Sequence, residues 1–559
     1  MLKAFLRSTS GNFAMALAIV LPVILGSVGL AVDYAHLLNI KSRLQNAADV
    51  GVLVASREAA SDARRNDIFS DYLQANLRGN GVSIARSEIE IEAGINHLGI
   101  NGYVTANVDL YFMHHLGFKQ VSVVASTFRS TKSMEIAVVL DNTGSMGSGG
   151  INALKNASRA LVNAVETGRA PNQDVRMSLV PFVTAVNVKG EGFDPDWIDA
   201  TGQALYNGWN FIDGTLRQRR RDGERLAQLP EGYGSNQTGS GSGGGQACDN
   251  EGQGQPAIDM RERCLAADKY PHHFYLFQQS KVEWKGCVEA RPHPLNFSTV
   301  APDKNQPETL FVPYFAPDEP GTRMSQGGNN AASYNNSWLE DEVTGTEAEI
   351  QRSTLKYINP AAKSINNAGP LTIGPNRACP TPIVPLTADF NKIRAGINSM
   401  NYWNGSGTNI AEGLAWGWRV LSPQAPYTEA GAFDSAERQK YMVLMTDGRN
   451  VSYGASGTMN RSDYGAYNFL ANGFIGGTNN QATAEGILNG WTLDMCTQMK
   501  AQDVEIFTVV YNETAASVHN LFRNCASRPE NFYMTNNTAA LESAFTSIGR
   551  QMSSLRLTQ

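Results

Sequence analysis

Residues Met134–Gly150 read MEIAVVLDNTGSMGSGG, and this stretch predicts the fold of the larger part of the chain. Ile136–Leu140 is a short apolar run with two valines, as expected of a strand that is buried on both faces of a sheet. A polar turn follows, and from Ile151 onward apolar residues recur at the three- and four-residue spacing of a helix. Open parallel sheets form binding sites in such strand–loop–helix units, at the carboxyl ends of their strands.

The turn after this strand carries oxygen-bearing side chains of the kind that bind metal ions. Asp141, Thr143 and Ser145 alternate along the loop, so an extended backbone would let their side chains converge on one point. One carboxylate and two hydroxyls suit Mg²⁺, which keeps water or another ligand in its remaining octahedral positions. Two alternatives stay open on this stretch alone: a phosphate-binding loop, although no Gly-Lys-Ser/Thr follows, and an Asp that only caps the next helix.

Two later segments carry further oxygen-bearing side chains that bear on the choice between these alternatives. Tyr441–Thr446 (YMVLMT) is a second buried-strand run, and Asp447 follows it directly. Trp403–Ile410 (WNGSGTNI) is a glycine-rich loop that presents Thr408 just before a predicted helix. Both segments thus place an oxygen-bearing side chain at a strand end or in a loop before a helix, where open parallel sheets form their sites.

Together these segments resemble the von Willebrand factor type A domain. The metal-ion-dependent adhesion site of that family is written Asp-x-Ser-x-Ser, followed by a loop Thr and then by an Asp at a strand end. The matching residues in this chain are Asp141, Thr143, Ser145, Thr408 and Asp447. Thr143 stands where the family usually has Ser, and it keeps the hydroxyl. The resemblance implies that Thr408 contacts the ion directly or when a ligand is bound, and that Asp447 acts mostly through a water molecule.

Size and charge limit the classes of function. A chain of 559 residues exceeds one ordinary hydrophobic core, so two or three domains are expected. The net charge of −6 offers no positive footprint for nucleic acid, and none is expected as a partner. The one dense basic run, Arg217–Arg221, is flanked by acidic residues and favours a solvated loop.

The amino-terminal segment predicts export to the far side of a membrane. Phe13–Val32 provides 20 largely apolar residues, which is enough for a transmembrane helix. Lys3 and Arg7 precede it, which favours residues 1–12 in the cytoplasm and the remainder outside. The alternative is a cleaved signal peptide, because small residues stand near the end of the run.

The rest of the chain divides by pattern into two regions. Residues 33–131 read as a helix followed by strands, which predicts a small α+β membrane-proximal module. Within it His114 and His115 lie on a predicted strand, where neighbouring side chains point to opposite faces, so surface or packing histidines are expected rather than a joint metal site. Residues 132–559 alternate strands and helices, which predicts an α/β domain with a doubly wound, mainly parallel sheet.

A large insertion interrupts this α/β pattern. Residues 190–379 are rich in Gly, Asn, Pro and Trp, and include the flexible tract Ser235–Gly245. A structureless loop of this length is improbable in a compact domain, so an inserted, disulfide-containing subdomain is predicted.

The cysteines agree with an oxidising compartment. All six follow the apolar segment, and none forms a CxxC motif: Cys248, Cys264, Cys287, Cys379, Cys496 and Cys525. Cys496 falls late in a predicted helix and Cys525 closes a segment after the next strand, so these two are predicted to pair. The other four are left unassigned among three connectivities.

The chain also resembles the TadG-type proteins of the tight-adherence (Flp-type IV) pilus assembly system. The segments that carry the resemblance are GNFAMALAIVLPVILGSVGLAVDY, LQNAADVGVLVAS, VLDNTGSM and LESAFTSIGRQMSSLRLT. The resemblance implies a single-pass bacterial inner-membrane protein with its A domain in the periplasm or spanning the envelope, and a role in pilus assembly. Related pilin-like members carry a Glu five residues after a processing Gly. Here Ala16 follows Gly11 at that distance, so prepilin-type cleavage is not expected.

These observations predict metal-dependent protein binding. A bound Mg²⁺ with an open position would dock an Asp or Glu carboxylate of a partner, with other pilus-assembly components as the expected partners. Catalysis is not expected, because neither HExxH nor GxSxG occurs and no His lies near the three metal-site segments. The alternatives are a surface adhesin and a structural envelope strut whose metal only stabilises the loops.

Overall fold

The structure is a computed structural model. It describes residues 12–56, 62–77, 82–93, 97–130, 132–169, 173–212, 214–222, 227–228, 269–321, 334–341, 345–358, 360, 363–366, 372–553 and 556–557. The chain forms two compact units. The first comprises Met1–Lys132, Gly168–Gln173 and Ser553–Gln559, and the second comprises Ser133–Thr167 and Asp174–Met552.

The described helices and strands follow in chain order. The helices are α1 (Asn12–Ser56), α2 (Asp62–Leu77), α3 (Gly147–Gly168), α4 (Gly214–Arg221), α5 (His273–Gln279), α6 (Glu347–Arg352), α7 (Phe390–Ser399), α8 (Ile410–Val420), α9 (Gln481–Ala501), α10 (Ala516–Cys525) and α11 (Thr538–Met552). The strands are β1 (Val82–Ala93), β2 (His97–Val108), β3 (Gln120–Ser130), β4 (Ser133–Asp141), β5 (Val175–Phe182), β6 (Val186–Asn187), β7 (Ala227–Gln228), β8 (Lys269–Tyr270), β9 (Cys287–Val288), β10 (Val384–Thr387), β11 (Gly407–Thr408), β12 (Arg438–Thr446), β13 (Val451–Ser452), β14 (Val504–Tyr511), β15 (Phe532–Thr535) and β16 (Arg556–Leu557).

The first unit begins with a long apolar helix. The stretch Leu17–Ala55 of α1 is long and apolar enough, by length and composition, to cross a membrane. Val23, Ile24 and Leu25 each expose more than half of their surface, as lipid-facing residues would. The described structure thus supports membrane anchoring through the segment predicted from the sequence.

The rest of the first unit is an antiparallel sheet covered by helices. Strands β1, β2, β3 and β16 lie side by side in that order, and the later part of α1 packs with α2 against them. The closest approach is at Gly102, where an added Cβ would lie 2.2 Å from a methyl carbon of Val52. Glycine at this position therefore allows α1 to reach the sheet.

The loop after β2 corrects one prediction. The strand ends at Val108, and His114 and His115 lie in a short 3₁₀-helix, Met113–Leu116, rather than on a strand. Gly117 closes this turn with φ at 92°, a left-handed conformation that favours glycine. Both histidines are exposed, as predicted, but they are presented by a turn and not by a strand.

The second unit is a mixed α/β structure built on a mostly parallel sheet. Its strands lie in the order β15-β14-β12-β4-β5-β6-β9, with β10 also paired to β5. The run from β15 to β5 is parallel throughout, and β6, β9 and β10 add antiparallel pairs. The predicted mainly parallel sheet is confirmed.

Helices cover both faces of this sheet. On β4, Ile136, Val138 and Leu140 belong to one core with residues of α3, α7 and α11. Ala137 and Val139 belong to the other core, with residues of α8, α9 and α10. Burial on both faces explains why the strand reads as an unbroken apolar run.

The described part of 190–379 shares this second core. Its buried aromatic side chains, among them Trp209, Phe211, Phe315, Trp338 and Tyr357, lie in the same cluster as Trp416 of α8. The described part of the segment therefore packs on one face of the sheet, and the inserted, disulfide-containing subdomain stays a prediction. The tract Ser235–Gly245, together with Cys248 and Cys264, lies outside the described residues.

Two disulfides occur among the described residues of the second unit. Cys496 of α9 bonds Cys525 of α10, which confirms the predicted pair. Cys287 bonds Cys379, a pairing that the sequence left open. The second bond spans 92 residues and ties Cys287 of β9, within the insertion, to Cys379 at its end.

A buried ion pair joins the starts of β4 and β12. Glu135 is fully buried and accepts hydrogen bonds from Lys440 Nζ, from Arg438 Nη1 at 2.8 Å and from the backbone of Gly431 at 2.8 Å. Lys440 Nζ also donates to two backbone carbonyls, so its remaining donors are satisfied.

We expect Glu135→Ala to lower the free energy of unfolding by about 3 kcal/mol, because it leaves the Lys440 ammonium buried without its carboxylate. Urea unfolding of the detergent-solubilised chain measures this loss. The exposed neighbour Glu437 supplies the control, since Glu437→Ala should change stability by no more than about 0.5 kcal/mol. Equal stability of the two variants would contradict the prediction.

Candidate metal site

The ends of two neighbouring strands bring the predicted carboxylates together. Asp141 is the last residue of β4, and Asp447 directly follows β12. These strands are parallel and adjacent, with Leu140 opposite Met445, so their carboxyl ends lie side by side. The loop after Asp141 then turns through a short 3₁₀-helix, Gly144–Met146, into α3.

Hydrogen bonds join four of the five predicted ligands in a row. Asp141 Oδ1 accepts from Thr143 Oγ1 at 2.6 Å and from the Thr143 backbone N–H at 2.8 Å. The hydroxyls of Thr143 and Ser145 lie 2.9 Å apart, and Ser145 Oγ donates to Asp447 Oδ1 at 2.7 Å. The alternating side chains of the loop therefore converge, as the spacing predicted.

The first two residues of this row are more deeply buried than the last two. Asp141 and Thr143 are buried, Asp447 is half-buried and Ser145 is exposed. The site therefore opens to solvent on the side of Ser145 and Asp447, where a partner could reach it.

Thr446 is a member of the site that the sequence reasoning missed. Its hydroxyl is fully buried and donates to Asp141 Oδ2 at 2.6 Å, so that both oxygens of the Asp141 carboxylate are held. The signal was present, because Thr446 is the one residue with an aliphatic hydroxyl in the run YMVLMT and immediately precedes Asp447. It was interpreted only as part of a buried strand.

Thr408, the fifth predicted ligand, lies on a loop that is docked against the site. Trp403 N–H donates to Asn142 O at 2.9 Å, and an added Cβ on Gly144 would lie 1.8 Å from Asn404 Oδ1. Thr408 itself pairs with Val451 in a short antiparallel ladder. Within the described residues, no hydrogen bond joins Thr408 to the other four side chains, so its role as a ligand stays a prediction.

The electrostatics of the site favour a cation. Burial raises the pKa of Asp141, and burial together with the Asp141 charge raises the pKa of Asp447 to about 7. Among the described residues, neither carboxylate forms an ion pair with a Lys, Arg or His side chain. Two neighbouring carboxylates without a positive side chain repel each other, and a divalent cation between them would offset that repulsion.

The donor atoms also suit the predicted ion. No cluster of three or more His, Cys, Asp or Glu side chains suited to a metal occurs in the described part of the chain. The predicted site instead combines two carboxylates with hydroxyls, which are hard oxygen donors of the kind that Mg²⁺ binds. The residues present therefore fit Mg²⁺ in their chemistry.

A cavity of about 380 Å³ adjoins the open side of the site. The residues that line it are Ser145, Met146, Gly149, Gly150, Asp447, Tyr511, Asn512 and Thr538. Its walls thus combine the two more exposed members of the site with the apolar side chain of Met146 and the ring of Tyr511. This shape and size can admit a side chain from another protein.

Comparison with known proteins adds evidence on the amino-terminal segment. The family model of Flp pilus-assembly TadE/G-like proteins matches residues 11–62. This segment is similar to pilus-assembly proteins. The match covers most of α1, the candidate membrane span, and supports anchoring of the chain in a membrane. No curated protein matches the chain.

Several solved structures share a low overall similarity with the chain. The pilus adhesin SpaC of Lactobacillus rhamnosus GG, in its open conformation, is 10% identical with a TM-score of 0.30, and the match covers 85% of this chain and 34% of SpaC. The vWF domain of the type V pili tip protein Mfa5 of Porphyromonas gingivalis is 9% identical with a TM-score of 0.28, over 75% of this chain and 95% of that domain. The pilus adhesin RrgA of Streptococcus pneumoniae is 10% identical with a TM-score of 0.29, and the match covers 83% of this chain and 49% of RrgA. The chain thus spans about a third of the SpaC chain.

Proposed function

We propose that this chain is a membrane-anchored, non-enzymatic component of pilus assembly that binds a protein partner through a divalent cation, Mg²⁺. The larger unit then corresponds to a von Willebrand factor type A-like domain within residues 132–559. The observation that carries the proposal is the hydrogen-bonded row Asp141–Thr143–Ser145–Asp447 at the open edge of the sheet. The family match at residues 11–62 supports the pilus context.

Five side chains would hold the ion: Asp141, Thr143, Ser145, Thr408 and Asp447. The bound cation would supply a positively charged docking point for an Asp or Glu carboxylate of the partner. Thr446 holds the second oxygen of Asp141 and so keeps the buried carboxylate aimed along the row. Met146 and Tyr511 line the adjoining cavity, where a docked surface would exclude water and strengthen the ionic contact.

The proposed location follows from the charges around the apolar helix. Residues 1–12 would lie in the cytoplasm, residues 13–32 in the bacterial inner membrane, and the module 33–131 with the A-like domain in the periplasm. The disulfides Cys287–Cys379 and Cys496–Cys525 support a compartment that is oxidising. Other pilus-assembly components are the proposed partners.

Capture of the partner with and without Mg²⁺ tests this function. The tagged full chain, solubilised from the envelope in detergent, should retain its partner in Mg²⁺, release it in EDTA and recapture it when Mg²⁺ is restored. A strut with a stabilising metal would lose melting temperature in EDTA while keeping the complex. Digestion of intact cells with protease separates the adhesin alternative, because an exposed adhesin is cut and a periplasmic domain is protected.

Two neighbouring serines provide a variant and a matched control that test metal binding directly. Ser145 lies in the row, whereas Ser148 is an exposed residue in the first turn of α3. We expect Ser145→Ala to weaken Mn²⁺ binding by about tenfold or more, because it removes an oxygen donor and the link to Asp447. Ser148→Ala should leave the affinity within about twofold. Calorimetric titration of the solubilised chain with Mn²⁺ measures both, and equal losses in the two variants would exclude Ser145 as a ligand.

A further inference from the structure

The loop between β2 and β3, residues 109–119, exposes large aromatic side chains. Tyr111 is 76% exposed, Phe112 49% and Phe118 54%. The neighbouring Leu110 is buried at 7%, so the loop has an apolar anchor in its own unit and presents the three rings outward. Exposed aromatic clusters of this kind mark surfaces that contact something apolar.

A single carboxylate fastens this loop to the apolar helix. Asp33 of α1 is fully buried, and it accepts hydrogen bonds from the backbone N–H groups of Tyr111 at 3.1 Å, Phe112 at 2.5 Å and Met113 at 2.6 Å. One turn earlier, the Phe112 ring covers Gly29, where an added Cβ would lie 2.7 Å from the ring carbons. The loop is therefore seated on the face of α1 formed by Gly29 and Asp33.

The position of this face along α1 sets the depth of the loop in a membrane. Asp33 is the first charged residue after the apolar run Phe13–Val32, and Gly29 lies inside that run. Val28 and Val32, on other faces of the helix, remain 57% and 55% exposed, as lipid-facing residues would. The Phe112 ring thus lies at the level where the apolar run ends, which is the interface between acyl chains and headgroups.

We propose that loop 109–119 is a second membrane contact, in which Tyr111, Phe112 and Phe118 insert into the phospholipid interface beside α1. Aromatic side chains are favoured at that depth because an apolar ring meets acyl chains there while a polar edge stays hydrated. Asp33 satisfies three backbone N–H groups that would otherwise face lipid without acceptors. Lys119, exposed at the end of the loop, is placed to meet headgroup phosphates.

Val124 on β3 provides a matched control in the same unit. It is 49% exposed, close to the value for Phe118. Its carbonyl accepts a hydrogen bond from Gln45 Nε2 at 2.9 Å, which places it beside a residue of α1 well beyond Asp33. At 1.5 Å per residue, Gln45 lies about 18 Å from Asp33 along the helix. Val124 is therefore equally accessible but far from the proposed bilayer surface.

Photo-crosslinking of the full chain in vesicles distinguishes these two positions. Phe118 or Val124 is replaced by p-benzoylphenylalanine, and each variant is reconstituted into vesicles of phosphatidylcholine and phosphatidylglycerol, irradiated and weighed by mass spectrometry. We expect lipid adducts at position 118 to exceed those at 124 by about fivefold or more. The same substitution at Leu25, a residue of the apolar run that is 59% exposed, reports the yield of a lipid-facing site.

Equal yields at 118 and 124, or adducts at 25 alone, would overturn the proposal. Crosslinking of position 118 to a protein instead of lipid in native membranes would also overturn it, since the aromatic surface would then serve a protein partner. Both replaced side chains are exposed, and matching melting temperatures of the variants show that their folds are intact. None of these outcomes depends on the metal site.

Discussion

Replacing Asp141 with alanine is expected to lower the affinity of the chain for Mg²⁺ and Mn²⁺ by about a thousandfold, since a missing direct ligand costs more than the loss of an outer contact. Asp141 is the one fully buried carboxylate of the row, and its two oxygens accept from Thr143 and Thr446. Its removal takes away both a negative charge and the group that orients the neighbouring hydroxyls. Calorimetric titration with Mn²⁺ of the solubilised full chain measures the change.

Stability in the presence and absence of metal gives an independent reading of Asp141→Ala. Mg²⁺ at about one hundred times its dissociation constant should raise the free energy of unfolding of the parent chain by about 2.7 kcal/mol, and should not stabilise the variant. Asp494→Ala, which changes an exposed residue of α9, should behave like the parent. Partner capture by Asp141→Ala in EDTA, at the level of the parent in Mg²⁺, would rule out metal-dependent binding.

Removing the Cys287–Cys379 disulfide is expected to cause the largest loss of stability among the substitutions considered. The bond closes 92 residues, and in the chain-entropy relation a loop of that length corresponds to about 4.6 kcal/mol. Both sulfurs are buried in the core that the insertion shares with the sheet, so alanines at the two positions would leave no charge or free thiol there. The urea midpoint of the Cys287→Ala/Cys379→Ala double variant measures the effect.

The other disulfide serves as the comparison. Cys496–Cys525 closes only 29 residues, which corresponds to about 3.6 kcal/mol in the same relation. The double variant at 496 and 525 should therefore unfold at a higher urea concentration than the one at 287 and 379. The reverse order would contradict the view that the long bond constrains the insertion.

Regular strands and helices of the second unit were predictable because their signals are local. The runs Ile136–Leu140 and Tyr441–Thr446 are apolar over the length of a strand, and the structure places both at the centre of the parallel sheet. Asp389 directly precedes α7, and its side chain accepts from Asn391 N–H at 2.9 Å, as an N-cap residue does. Each of these features depends on a few neighbouring residues.

The insertion could not be predicted in the same way. Its described residues contain few regular elements, and their order comes from long-range contacts such as the rings of Phe315 and Tyr357, whose centroids lie 5.5 Å apart. Periodicity along the chain does not indicate such contacts, so the sequence did not predict that the described residues of the insertion share the core of the sheet. The pairing of Cys287 with Cys379 was open for the same reason.

Within the site, the sequence predicted the residues better than their contacts. Alternation along the loop was enough to bring Asp141, Thr143 and Ser145 together. Thr446 was not predicted as part of the site, because a single hydroxyl at the end of a buried strand has no sequence spacing that is typical of a metal site. Thr408 was assigned as a ligand by resemblance to the family. Its distance from an ion depends on the conformation that the loop after Trp403 adopts when the ion is bound.

Anomalous diffraction from crystals of the chain grown with Mn²⁺ tests the metal site most directly. We predict one Mn²⁺ at the carboxyl edge of β4 and β12, with oxygens of Asp141, Thr143 or Ser145 at about 2.2 Å and Thr408 and Asp447 in contact directly or through water. A Mn²⁺ bound elsewhere, or no ion at Asp141 at saturating Mn²⁺, would contradict the proposed site.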